Sequence, residues 1–129
     1  MCELSETHLK KGNIEKAEGD AEKILQIAID IGVKVEEGKG HRVLGMVYRE
    51  QEIWENAEAE FEKGIDILEE CDEKRGLSKT HYEYGEMWKA KGEQEKVKEH
   101  LEKALSMFED MDMELWMDKT KKALSLLSE

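Results

Sequence analysis

Leu44-Gly45-Met46-Val47-Tyr48, followed by Ala57 and Phe61, is the stretch that decides the fold. Its parts return at a fixed distance. Gly45 returns as Gly85 and His41 as His81, forty residues on. The triplets Ala21-Glu22-Lys23, Phe61-Glu62-Lys63 and Leu101-Glu102-Lys103 keep the same interval, as do Asp72 and Asp112. A fixed period of this size marks an array of helix pairs, in which no pair buries its apolar face alone and each stacks on the next.

The spacing within the unit narrows this further. His41-x-x-Leu44-Gly45-x-x-Tyr48, then Ala57-x-x-x-Phe61, resembles the tetratricopeptide repeat, whose pattern has Trp at the position of His41 and a Pro near its end. A second copy reads His81, Tyr84, Gly85, Trp88, Val97, Leu101, Ala104, and a weaker one His8, Gly12, Ala17, Ala21, Ile24. The resemblance spans nearly the whole chain. It departs from the family in lacking Pro, in Val97 where Ala is usual, and in a period longer than the usual 34 or so. The longer period is similar to the long-helix subclass found in spindle adaptors and bacterial signalling regulators. The resemblance implies an all-α, right-handed α-solenoid of stacked antiparallel helix pairs, about seven helices in all. It names no partner, because such folds are general binding surfaces.

Bulk properties agree with a helical array. The chain has 129 residues, 40% of them charged and 39% apolar, with ten Gly and no Pro. High charge with regular apolar spacing points to long solvated helices and not to disorder. We read one domain, residues 1–129, with units at 1–32 (its first helix incomplete), 33–72 and 73–112, and a capping helix at 113–128. Helices are predicted at 3–11, 14–31, 33–51, 53–71, 73–91, 93–110 and 113–128. Asn13, Asp72 and Asp112 are expected to cap the helices that follow them, and Gly12 and Gly92 to form turns. No apolar run of transmembrane length or signal-peptide segment is visible. Cys2 and Cys71 make no disulfide framework, so a reduced, cytoplasmic protein is expected. A net charge of -12 disfavours nucleic acid and anionic membranes, which both require surplus cations.

The expected core is a set of ladders along the second helix of each unit. The rungs are Ala17/Ala57/Val97, Ala21/Phe61/Leu101, Leu25/Ile65/Leu105, Ala28/Leu68/Phe108 and Ile31/Cys71/Met111, spaced as one helical stripe. On this reading Cys71 is an apolar filler. Gly45 and Gly85 let the paired helix approach closely. Trp54, Trp88 and Trp116 read as core and end cover. Met107, Met111, Met113, Trp116 and Met117 form a soft apolar cluster, read as core and cap packing or as a surface for self-contact.

No HExxH, GxSxG, P-loop or GxGxxG string occurs, so an enzyme and a cofactor are not expected. Four histidines, His8, His41, His81 and His100, raise the question of a metal. His41 and His81 are repeat equivalents, so their spacing needs no metal, and none is expected.

The resemblance also implies where a partner binds. In this family four positions along the inner face of each first helix line a concave groove. Carried onto this chain they are Lys39, Arg42, Met46 and Arg49, then Lys79, Tyr82, Glu86 and Lys89. The capping helix adds Lys119, Lys122, Leu126 and Glu129, and the first unit Glu6 and Leu9. Cations dominate this set, although the chain holds 20 Lys+Arg against 32 Asp+Glu. A basic groove in an acidic protein would draw an acidic extended or helical peptide; solvated lysines that merely keep the groove wet are the alternative. Chaperone-tail clamps of this family also need Asn in the first helices, and Asn13 and Asn56 lie elsewhere. Three functions stay open: an adaptor or scaffold binding acidic protein segments, a self-associating assembly module, and a regulatory sensor separated from its effector.

Overall fold

A computed structural model describes residues 14–128. The predicted helix 3–11, with Gly12 and Asn13, lies outside the described residues. So do Glu6, Leu9, His8, Cys2 and Glu129.

Among the described residues the chain is all-helical, with no strand. Six α-helices follow in order: α1 Ile14–Ile31, α2 Lys34–Glu50, α3 Trp54–Glu70, α4 Lys74–Lys91, α5 Gln94–Asp110 and α6 Glu114–Ser125. A short 3-10 turn, Leu126–Ser128, ends the series. These bounds fall within three residues of the predicted ones. None of the helices is long and apolar enough to cross a membrane. Two compact units divide the chain, Met1–Glu73 and Lys74–Glu129. In the first, α2 packs against both α1 and α3. In the second, α5 packs against both α4 and α6.

The backbone repeats more finely than the side chains do. Gly32, Glu52, Asp72, Gly92 and Asp112 all have positive φ, between 54° and 82°, and they lie twenty residues apart. Each donates its N–H to the carbonyl three residues back, as Glu52 does to Arg49. Each following residue donates to the carbonyl five back, as Ile53 does to Tyr48. That pair of bonds is the Schellman helix end, which satisfies carbonyls left open by the last turn. One such end closes each of the first five helices. The second turn residue is also the residue that flanks the next helix. Val33, Ile53, Glu93 and Met113 stand at those N-cap positions with no side-chain cap. This corrects the expectation for Asp72 and Asp112. They do not cap the next helix; they take the left-handed turn that ends the previous one, as Gly92 does.

The ladders hold over most of their length. Ala17, Ala57 and Val97, and likewise Ala21, Phe61 and Leu101, are at most 1% exposed. Ala28, Leu68 and Phe108 are as well covered. Two rungs differ: Leu25 and Leu105 are half-buried beside a buried Ile65, and in the last rung Ile31 is 68% exposed while Cys71 and Met111 are half-buried. The residues of that last rung end their helices, beyond the part that a neighbour covers. Cys71 is therefore not the core filler expected. A column the ladders omit is Ile24, Gly64 and Ala104, all buried. At Gly64 a Cβ would lie 3.2 Å from the carbonyl oxygen of Gly38, so only a minimal residue fits.

Glycine makes the close approaches expected within each unit. A Cβ on Gly45 would meet three atoms of the Phe61 ring at 2.8–2.9 Å, and one on Gly85 would meet Leu101 at 2.9 Å. The matching positions of α6 are polar. Where α2 has Gly38, His41 and Gly45, and α4 has Ser78, His81 and Gly85, α6 has Asp118, Lys121 and Ser125. All three are exposed.

Candidate protein-binding site

The second unit gathers cations on aromatic rings. Thr80 on α4 and Thr120 on α6 are buried equivalents. Each hydroxyl donates to the carbonyl four residues back, Gly76 and Trp116, at 2.7 Å. One residue before each stands a lysine. The Lys79 ammonium lies 5.3 Å from the centroid of the Trp116 ring, and that of Lys119 4.6 Å. Lys119 also reaches the Tyr82 ring, at 5.4 Å. Tyr82 meets Trp116 edge-on, with ring centroids 5.5 Å apart. Behind it, Phe108 stacks on Trp116 at 5.4 Å. A buried phenylalanine thus backs an indole that carries two ammonium groups from two helices. Each such contact is worth about 0.5–1 kcal/mol at an exposed site. Two like charges on one ring also repel each other, so the arrangement favours an anion between or above them.

The other groove positions divide. In the second unit Glu86 is half-buried, while Lys89 and Lys122 are exposed and stand outside the group on Trp116. Tyr82 is buried, at 9% exposed. In the first unit Lys39 pairs with Glu36 at 3.6 Å and Arg49 with Glu50 at 3.6 Å. Arg42 and Met46 are buried, at 5% and 3% exposed. They are not the open, solvent-facing positions that a uniformly basic groove implies. Of the Met cluster, Met107, Met111, Met113 and Met117 are half-buried.

Two histidine contacts stand apart from this surface. His41 donates through Nδ1 to Oε2 of Glu60 at 2.6 Å, joining α2 to α3. Burial pushes the Glu60 carboxyl up, but the hydrogen bond and charge of His41, with Lys63, outweigh it and hold the carboxyl below its usual range. Tyr48 in the same unit is pushed up by burial and by Glu18, Glu60 and Glu22. At the equivalent positions of the second unit, His81 on α4 meets His100 on α5, Nδ1 to Nδ1 at 3.1 Å. Burial, then the charges of His100 and Lys103, lower the His81 pKa to about 4. Burial lowers His100 as well; Glu99 opposes this, and Lys103 and Lys96 add to it.

Little else resembles a reaction centre. Among the described residues no group of three or more His, Cys, Asp or Glu could hold a metal ion. A cleft of about 470 Å³ lies against α5, lined by Gln94, Glu95, Lys98, Glu102, Leu124 and Leu127. None of those residues is among the expected groove positions. Trp116 is the functional candidate that sequence reasoning assigned elsewhere, to the Met cluster. Its equivalents are Glu36 and Gly76, so the repeat gives no hint of its role. No protein-family model matches the chain, and no curated protein matches it.

Proposed function

We propose that the chain is a non-enzymatic binding module, a tetratricopeptide-like solenoid closed by α6, whose basic face takes an acidic segment of a partner protein. The observation that carries the reading is the convergence of Lys79 and Lys119 on the single ring of Trp116. In a chain of net charge -12, two such cations on one platform form a local positive field that draws carboxylate-bearing segments. Carboxylates of a partner meet both ammonium groups, and the indole supplies apolar contact beside them. The exposed polar residues of α6 suit a closing helix, which repeat arrays need for solubility. A reducing, cytoplasmic setting fits the cysteine usage.

Charge reversal tests this. Lys79→Glu combined with Lys119→Glu removes the ring contacts of one half-buried and one exposed lysine, so it costs about 1–2 kcal/mol of stability and leaves helicity intact. Binding to an acidic peptide library is expected to weaken about tenfold or more, mainly through a slower on-rate, with a flatter salt dependence. Lys79→Arg with Lys119→Arg keeps charge and ring contact and retains binding. If the reversed variant folds and captures the same peptides with the same salt profile, the reading fails. Self-association then takes its place, with the exposed residues Ile27, Ile29, Ile31 and Val33 of the first unit, 39–68% accessible, as the apolar contact.

A further inference from the structure

The two units differ more in charge than in architecture. The first, Met1–Glu73, holds 20 Asp and Glu against 9 Lys and Arg. The second, Lys74–Glu129, holds 12 against 11. An acidic half and a nearly neutral half with a basic face complement each other between molecules. We propose that the acidic segment received by Lys79, Lys119 and Trp116 is the exposed carboxylate stripe of α3 on a second copy of this chain. The proposal rests on the basic-face reading above and names its partner.

The stripe is continuous. Glu55, Glu62, Asp66 and Glu69 are exposed. Their spacing, i, i+7, i+11 and i+14, puts them on one face of the helix. Lys63 is the only Lys or Arg on α3, and it pairs with Glu60 at 3.6 Å. The equivalent positions on α5 are Glu95, Glu102, Ser106 and Glu109. There Lys98 pairs with Glu102 at 3.9 Å, and Lys103 with Glu99 at 4.0 Å. The same helix position is thus wholly acidic in the first unit and offset by lysines in the second.

The dimensions match. Both ammonium groups lie within 5.3 Å of the Trp116 centroid. Residues one helical turn apart, such as Glu62 and Asp66, have Cβ atoms about 5–6 Å apart, so one turn of the stripe reaches both cations. Ala59 is exposed on the same stripe, and its small side chain lets the indole lie beside the carboxylates. The two faces differ, so the contact is heterologous and copies add head to tail. Copies of net charge -12 also repel one another. At about 0.15 M salt, screening beyond about 8 Å removes most of that long-range repulsion and spares groups in contact. At about 1 M, where the screening length is about 3 Å, exposed pairs weaken as well.

Sedimentation of the full chain over a wide concentration range is the test, with the Trp116 indole signal under polyglutamate beside it. The wild-type mass is expected to rise with concentration at about 0.15 M salt and to return to the monomer at about 1 M. Glu62→Gln with Asp66→Asn and Glu69→Gln is expected to stay monomeric while its Trp116 still responds to polyglutamate. Lys79→Glu with Lys119→Glu is expected to stay monomeric too. An equal mixture of these two variants is expected to form a dimer that grows no further, since one acidic stripe and one basic face remain. If the lysine variant does not fold, the neutral α3 variant decides. A wild type that is monomeric at every concentration overturns the proposal. If its Trp116 still shifts with polyglutamate, the basic-face reading stands; if it does not, that reading falls as well. Assembly that survives about 1 M salt or the neutral α3 variant overturns the proposal, as does a mixture of folded variants that stays monomeric.

Discussion

Gly45→Val is expected to destabilise the chain by about 3 kcal/mol, at the upper end of the usual cost of overpacking. The added Cβ alone would sit 2.8–2.9 Å from three atoms of the Phe61 ring. Phe61 is fully buried, and a ring cannot bend away as a leucine tip can. Either α2 and α3 move apart or the ring leaves its place, and both loosen the first unit. Helix propensity acts against this loss, since Val is a slightly better helix former than Gly, but only by a few tenths of a kcal/mol. Gly19 supplies the control. Nothing lies within 4 Å of a Cβ built there, so Gly19→Ala is expected to stabilise by about 0.5–1 kcal/mol. Urea titration of both variants checks the pair. Equal and opposite small effects would show that Gly45 is not the contact point between α2 and α3.

Acid is expected to weaken the second unit well before most carboxylates titrate. The His81 pKa falls from an ordinary 6.5 to about 4 in the folded chain, so folding favours its neutral form. Above pH 6.5 that contribution is fully present. Between about pH 6.5 and 4 the unfolded chain binds the extra proton, and stability falls as pH falls. The full loss is about 3 kcal/mol, from roughly 1.36 kcal/mol per pKa unit. Glu60 acts in the same direction at lower pH, because its carboxyl is held below the usual range and its contribution is lost on protonation. His100→Glu separates the two. It recreates in the second unit the histidine–carboxylate pair of the first, which favours charged His81. Thermal unfolding in chelator-treated buffer from pH 7.5 to 4 is the measurement. The wild type is expected to fall more steeply than His100→Glu from pH 6.5 downward, and parallel curves would refute the assignment.

The helices were legible because their signal is redundant. A forty-residue repeat of glycine, histidine and aromatic positions fixes helix pairs, and one apolar stripe fixes their buried faces. The turns were legible only where glycine stood. Gly92 advertises a positive φ, whereas Glu52, Asp72 and Asp112 adopt the same conformation with no glycine to mark it. Read alone, an Asp before a helix suggests a cap, and here the residue instead takes the turn that ends the preceding helix. The cation–ring cluster was legible in part. Lys79 and Lys119 share a register position, so the period alone brings them together in the sequence. Trp116 has no repeat equivalent, and its place beneath both lysines depends on how α6 turns on α5. Arg42 and Met46 belong to the same expected helix face but are buried, which position along a helix does not determine. The pairing of His81 with His100 joins residues nineteen apart, an offset set by helix-pair register and hidden in the forty-residue comparison.

The central claim is that Lys79, Lys119 and Trp116 together receive an acidic segment. The most direct test follows the three indole N–H resonances of the whole chain during titration with a polyglutamate peptide. The account predicts a saturable shift at Trp116 that is screened by salt, while Trp54 and Trp88 stay nearly unmoved. A titration in which Trp116 does not shift, or in which all three indoles drift together and without saturation, would contradict it.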